Sequence, residues 1–228
     1  MINDYPTIIV DNFFKYPLDI REFALQFEFN PSDKGTFGGV RTKSLHTSHQ
    51  SFFRSVCSKI LNCYSIQFTD YSAAMFFHLT GDEFGDTGWV HTDACGDRGL
   101  GIASIIYLNT DNNNLTNGTG LYKLTNPDYS VDHAEDNFKE MRKSYIDAKD
   151  NVCIKHNHNL NFEPTVMVGN MFNRMVAYDT RTPHAGSKYF GNDNISSRLT
   201  LLTFFHDIQI TGKGNLTPLH RAEAMTDI

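Results

Sequence analysis

A chain of 228 residues, 40% apolar and 13% aromatic, can bury a full core but is short for two, so one domain spanning residues 1–228 is expected. Its 20 basic residues against 26 acidic ones give a formal charge of −6. That balance offers no overall attraction to a phosphate backbone or an anionic membrane, and it argues against nucleic acid and membrane as partners.

The four cysteines, Cys57, Cys63, Cys95 and Cys153, form no C-x-x-C pair. Neither a signal-like segment nor an apolar run of about eighteen residues is present, and the expectation is a soluble, cytoplasmic protein with reduced thiols. Residues 1–63 read as a strand and helices. "PTIIV" is a short β-rich run, and "PLDIREFALQFEF" starts a helix at Pro17 with a stripe of Leu18, Phe23, Ala24 and Phe27. Residues 30–50 are rich in turn formers, which predicts a long surface loop or a loose hairpin. "HQSFFRSVCSKILNCY" spaces Phe52, Val56 and Ile60 by helical turns and predicts a second amphipathic helix.

From residue 64 to about 210 the pattern changes to short β-branched and aromatic runs: "YSAAMFFHL", "GWVHTDA", "GIASIIYLN", "GTGLYKL", "PTVMVG", "NMFNRMVAY" and "SRLTLLTFFHDI". Gly, Asn and Asp turns separate them, which predicts an antiparallel sandwich or barrel, mainly β with flanking helices. The polar stretch 126–162 interrupts the strands. Asp132 and Glu135 form a possible capping box there, ahead of Phe138, Met141, Tyr145 and Ala148 at helical spacing, so an inserted rim helix is expected. Its "HNH", with His156 and His158, lacks partners at zinc spacing and reads as a solvated loop. Residues 211–228 read as a tail.

His91 and Asp93 sit two positions apart in "GWVHTDACG". A His-x-Asp triplet is expected roughly once by chance in such a chain, so context must carry the argument. On a strand both side chains project from one face, with Trp89 beside them and Thr92 turned away. One imidazole and one carboxylate make a poor cage, and His184 in "RTPHAGSKYFG", next to the small pair Ala185-Gly186, is the candidate third ligand. Arg198 opens a strand apolar on both faces, where a guanidinium wants a carboxylate; Thr200 shares its face and offers a hydroxyl.

The order His91, Asp93, His184, Arg198, together with "IIYLNTDNNNLTNGTGLYKL", resembles the iron(II)- and 2-oxoglutarate-dependent oxygenases, in their prolyl-4-hydroxylase-like branch, over roughly residues 64–207. The resemblance implies a double-stranded β-helix (jelly-roll, cupin-like) core. It further implies that His91, Asp93 and His184 hold Fe(II), and that Arg198, with Tyr107 and Thr200, holds the distal carboxylate of 2-oxoglutarate. Dioxygen would be the second co-substrate, succinate and CO2 would be released, and an unactivated C–H bond would be hydroxylated. Halogenating relatives carry a small residue where this chain has Asp93, which favours hydroxylation. The separation of His184 from Arg198 is somewhat longer than in the prolyl hydroxylases.

The substrate is expected to be a peptidyl residue, an amino acid or another small metabolite. Trp89, Arg181 and Arg41 are the candidate substrate contacts, while Cys95, His78 and His206 are given no role. Two other classes compete. A noncatalytic jelly roll that binds a ligand or partner would need no full ligand set, and a zinc hydrolase would need a base of the H-E-x-x-H kind, which is absent. Oligomeric state is open.

Overall fold

Pro17 starts the first helix because its ring fixes φ near the helical value and its missing N–H would have lacked a partner in the first turn anyway. The computed structural model describes residues 5–31, 38–64, 68–85, 88–93, 101–110, 114–129 and 151–210. It contains helices α1 (Pro17–Leu25), α2 (Leu45–Ser48), α3 (Gln50–Cys63) and α4 (Asn151–Asn159). Its strands are β1 (Ile8–Val10), β2 (Asn30–Pro31), β3 (Val40–Arg41), β4 (Phe68–Thr80), β5 (Ile102–Tyr107), β6 (Asn114–Leu124), β7 (Phe162–Asn170), β8 (Met175–Asp179), β9 (His184–Ser187) and β10 (Arg198–Ile210). No described helix is long and apolar enough to cross a membrane.

The strands form two antiparallel sheets, ordered β1-β8-β5-β10-β4-β3-β2 and β7-β6-β9. This is the double-stranded β-helix expected from the sequence. Strand alternation explains why β5 and β10 are apolar on both faces. One face of the larger sheet, with Ile102, Ile106, Met75, Phe77, Leu79, Leu199, Leu201 and Phe205, packs on the buried stripe of α3 (Phe53, Val56, Ile60, Leu61) and on Ala24 of α1. Phe77 is the hub: Phe23, Phe27 and Phe52 each place a ring centroid within 6.2 Å of it, which sets the helices on the sheet. The other face, with Ala103, Ile105, Tyr107, Val176, Tyr178 and Leu202, meets Leu121 and Val168 of the smaller sheet inside the barrel.

Three elements differ from expectation. In α1 the stripe is shifted: Leu18 is exposed, whereas Arg21 is buried. Arg21 turns inward because two loop carbonyls await a donor there, Leu108 O at 2.8 Å and Ile195 O at 2.7 Å. Within residues 30–50 the loose hairpin forms as two rungs, Asn30 with Arg41 and Pro31 with Val40, but α2 follows where loop was expected. Of the expected strand over 88–94, the described residues 88–93 form one bridge, His91 to His184. Asp132, Glu135, Phe138, Met141, Tyr145, Ala148, Cys95 and the tail lie outside the described residues. The described part of the insertion holds a different helix, α4, where loop was expected.

Candidate metal centre

His91 and His184 face each other as a bridge pair, with His91 N donating to His184 O at 3.0 Å and His184 N to His91 O at 2.8 Å. Directly opposed residues of an antiparallel pair send their side chains to the same face, and here the imidazole centroids are 4.4 Å apart. Asp93 follows two residues later, its N–H donating to Thr180 O at 2.9 Å.

The ring tautomers follow from the backbone. His91 Nδ1 lies 2.8 Å from Trp89 O and His184 Nδ1 3.0 Å from Thr182 O. A carbonyl only accepts, so each Nδ1 carries a proton, and Nε2 is the ring atom left to face the carboxylate. His91 Nε2 is 3.7 Å from Asp93 Oδ1, and His184 Nε2 is 3.3 Å from Asp93 Oδ2. Asp93 Oδ2 is buried without a hydrogen bond among the described residues.

One ligand atom from each of the three residues can be chosen so that all lie within 4.8 Å of one another, and such a set could hold a metal ion. Neighbouring corners of a coordination sphere with bonds of about 2.1 Å are about 3.0 Å apart, so the side chains would close in around a divalent metal. The remaining corners would be open to other ligands.

Tyr178 lies against this group, its ring centroid 4.7 Å from that of His184. Burial, with the Asp93 charge adding to it, pushes its phenol well above the usual range, so it stays protonated. Nothing in the sequence distinguished Tyr178 from a core tyrosine. The room left by Gly186 is used by another aromatic residue: a Cβ there would come within 2.4 Å of the Tyr189 hydroxyl. The small residue therefore admits Tyr189, where the sequence suggested space around the His184 imidazole.

A second polar group lies in the same barrel. Arg198 is 4% exposed, and among the described residues its Nη2 makes long contacts with Gly118 O at 3.4 Å and Thr119 Oγ1 at 3.5 Å. Its Nε is buried without a hydrogen bond, and no described carboxylate pairs with it. The guanidinium lies 5.5 Å from the Tyr107 ring centroid. Tyr107 is buried and its hydroxyl donates to Thr119 Oγ1 at 2.8 Å. Burial pushes its phenol up, while the Arg198 charge opposes the shift.

Thr200 does share the face of Arg198, but its hydroxyl is 3.5 Å from His78 O, on β4. The hydroxyl between Tyr107 and Arg198 belongs to Thr119, which sequence reasoning missed. Alternation from Leu121, the neighbour of His184, was the available signal. His78 contacts Gly38 O through Nε2 at 2.7 Å; burial, then the Arg41 charge, holds its protonation well below the usual range.

The remaining candidates are distributed differently from expectation. Arg181 is committed to Asp179: Nε reaches Oδ1 and Nη2 reaches Oδ2, each at 2.9 Å, and the backbone N–H also donates to Oδ1. Asp179 is fully buried, so this pairing is structural. Trp89 stacks on His158, centroids 4.2 Å apart at 16°. Arg41 lies beside His78 in register, its guanidinium 5.9 Å from the ring centroids of both Phe76 and Phe204.

His158 itself corrects the expectation of a solvated loop. It is 2% exposed; its Nε2 donates to Val90 O at 2.6 Å, and its Nδ1 receives the Tyr129 hydroxyl at 2.6 Å. Asn159 completes the contact, Val90 N donating to its Oδ1 at 3.1 Å and its Nδ2 donating to Gly88 O at 3.0 Å. The end of α4 therefore occupies the backbone groups of the metal-ligand segment that β9 leaves unpaired. A helix-borne clamp of this kind leaves no mark in local sequence spacing.

A family model described as a family of unknown function, DUF6445, matches residues 2–205. No curated protein matches the sequence. Among solved structures, HygX from Streptomyces hygroscopicus, with nickel, 2-oxoglutarate and hygromycin B bound, is 10% identical; the match covers 89% of this chain and 83% of that one, with a TM-score of 0.53. EvdO2 from Micromonospora carbonacea var. aurantiaca, complexed with 2-oxoglutarate, is 12% identical over 94% of this chain and 91% of that one, at 0.52. A prolyl 4-hydroxylase of Phytophthora capsici is 14% identical over 98% and 68%, at 0.50. At such identities the likeness is one of fold.

Proposed function

The chain belongs to the DUF6445 family, and we propose that it is an iron(II)- and 2-oxoglutarate-dependent oxygenase, a single domain acting on a peptide or small-molecule substrate. The observation that carries this is a pair of mutually dependent deficits in one barrel. Two imidazole Nε2 atoms and a buried carboxylate oxygen converge as a ligand set suited to a cation, and a buried guanidinium without a described carboxylate suits an anion. A metal chelated by a dicarboxylic 2-oxo acid meets both. When bound, iron, 2-oxoglutarate and dioxygen would supply the oxidising chemistry, with succinate and CO2 released and a C–H bond hydroxylated.

The residues position and protect. His91, Asp93 and His184 hold the metal, and the Nδ1 hydrogen bonds to Trp89 O and Thr182 O aim the two rings. Arg198 neutralises the distal carboxylate, Tyr107 closes the apolar floor beside it, and Thr119 links the two. Thr200, on the same face, lines the floor. Arg41 and Trp89 are the groups assigned to the substrate side. The apolar inner face, from Leu121 to Tyr178, keeps bulk water from the reacting centre.

Anaerobic addition of Fe(II) and 2-oxoglutarate to the folded protein should give the weak visible charge-transfer band of the chelate. The band should vanish in His91→Ala and Asp93→Ala. Arg198→Ala should weaken 2-oxoglutarate binding while retaining iron. Wild-type protein that binds neither species would sink the proposal, and succinate release screened against peptides and metabolites would then separate an enzyme from a noncatalytic metal-holding jelly roll.

A further inference from the structure

Asn170 ends β7. Two residues earlier Val168 packs with Tyr107 and Leu121 inside the barrel, and alternation puts Asn170 on the same inner face. None of Asn170 is exposed. Across the ladder, Val168 pairs with Thr119 and Gly169 with Gly118. Gly118 O and Thr119 Oγ1 are the two atoms reached by Arg198 Nη2. Asn170 is therefore one inner row beyond Thr119, its diagonal neighbour. The β6 strand shifts register between Asn114 and Gly118, beside Asn170, and bulges of this kind gather next to functional sites.

The Asn170 carboxamide can donate twice and accept twice, yet among the described residues neither Nδ2 nor Oδ1 has a hydrogen-bond partner, and Arg198 Nε in the same chamber has none there either. Buried amides are normally satisfied, because taking them out of water uncompensated is costly. Two orphaned groups in neighbouring rows mark a place where a polar ligand belongs. The unused donors, Asn170 Nδ2 and the guanidinium edge, call for an oxygen anion.

We infer that Asn170 is a binding residue for the distal carboxylate of a dicarboxylic 2-oxo acid, Nδ2 donating to the oxygen that Arg198 neutralises. This rests on the oxygenase reading, and it adds a contact to that reading: the chamber selects a dicarboxylate over a monocarboxylic 2-oxo acid with an amide as well as a cation.

Asn170→Leu, of similar volume, removes both polar ends. Because it replaces an orphaned amide with an apolar group, the ligand-free variant should melt at or above the wild-type temperature. Its Kd for 2-oxoglutarate, titrated anaerobically with Fe(II), should rise about tenfold or more, with affinities for Fe(II) and pyruvate unchanged. Asn170→Asp, which keeps the shape and adds repulsion, should weaken 2-oxoglutarate further, and it serves if the leucine variant misfolds. A lower melting temperature with unchanged 2-oxoglutarate affinity would overturn the inference in favour of a structural amide. Equal losses for pyruvate and 2-oxoglutarate would also overturn it, by placing the residue at the metal end. Wild-type protein that fails to bind 2-oxoglutarate sinks the oxygenase reading first; a wild type that binds, beside an unaffected variant, sinks only the role of Asn170.

Discussion

Arg198 and Arg181 are two arginines with opposite situations. Arg198 is enclosed among Tyr107, Tyr189 and Thr119 with no described carboxylate, whereas Arg181 is held by the fully buried Asp179. An arginine already saturated by a buried carboxylate serves the fold, and one left unsatisfied awaits a ligand. Arg181→Ala should therefore lower stability by about 3 kcal/mol, since it strips the buried Asp179 of its counter-charge. Chemical denaturation would measure this, and 2-oxoglutarate affinity should be preserved. A stable Arg181→Ala protein with impaired substrate binding would restore the substrate role that the sequence suggested. Proximity to His184 in the chain was the basis for that suggestion, and the three hydrogen bonds to Asp179 are the reason to propose a structural role instead.

The segment 88–93 depends on α4 for its shape. It has a single bridge to β9 on one side, and on the other side His158 and Asn159 take the place of a strand. Such a ligand segment cannot hold His91 and Asp93 in line by itself, since an extended chain with few ladder bonds is free to twist. Supports of metal ligands commonly contribute ten- to a hundredfold in affinity. His158→Ala should weaken Fe(II) binding by about tenfold on that scale, through the backbone of Val90 that His158 holds. The single tryptophan, Trp89, stacks on His158 and provides the readout: its emission should change in the variant. An altered emission with full metal affinity would show that the clamp orders the indole and leaves the metal centre independent of it. His158→Gln, which can still donate to Val90 O, should recover part of the affinity.

At the scale of the molecule, the two sheets enclose a chamber whose lining carries uncompensated charge. Anything that binds this folded chamber and not the unfolded chain must stabilise the fold. Metal at a hundred times its Kd should add about 2.7 kcal/mol, and 2-oxoglutarate at the same excess about as much again. A chain of this length gains roughly 2–4 °C per kcal/mol, so each ligand should raise the melting temperature by about 5–10 °C. A chelator should remove both gains, because the 2-oxo acid is held in part through the metal. No shift with Fe(II) or Mn(II) in a scanning-fluorimetry titration would contradict a metal centre in this barrel.

The residues that nominate the chemistry are local in sequence or ordered along it. The His91-x-Asp93 pair, the later His184 and Arg198, the Pro17 helix start, the α3 stripe and the β-rich runs are all legible there, because period-2 and period-3.6 patterns record which face is buried. These determine a mainly β barrel with helices on one face and a candidate His-Asp-His set. The partners of each polar group are not legible, since hydrogen bonds across sheets join residues far apart in the chain. Only the tertiary structure decided that the hydroxyl between Tyr107 and Arg198 belongs to Thr119. It also decided that Arg181 pairs with Asp179, that the "HNH" histidine His158 is buried behind the segment 88–93, and that Asn170 is buried without a partner among the described residues. The physical reason is the same in each case: sequence patterning records burial, and only the three-dimensional packing settles which buried polar groups are satisfied by the protein and which are left for a ligand.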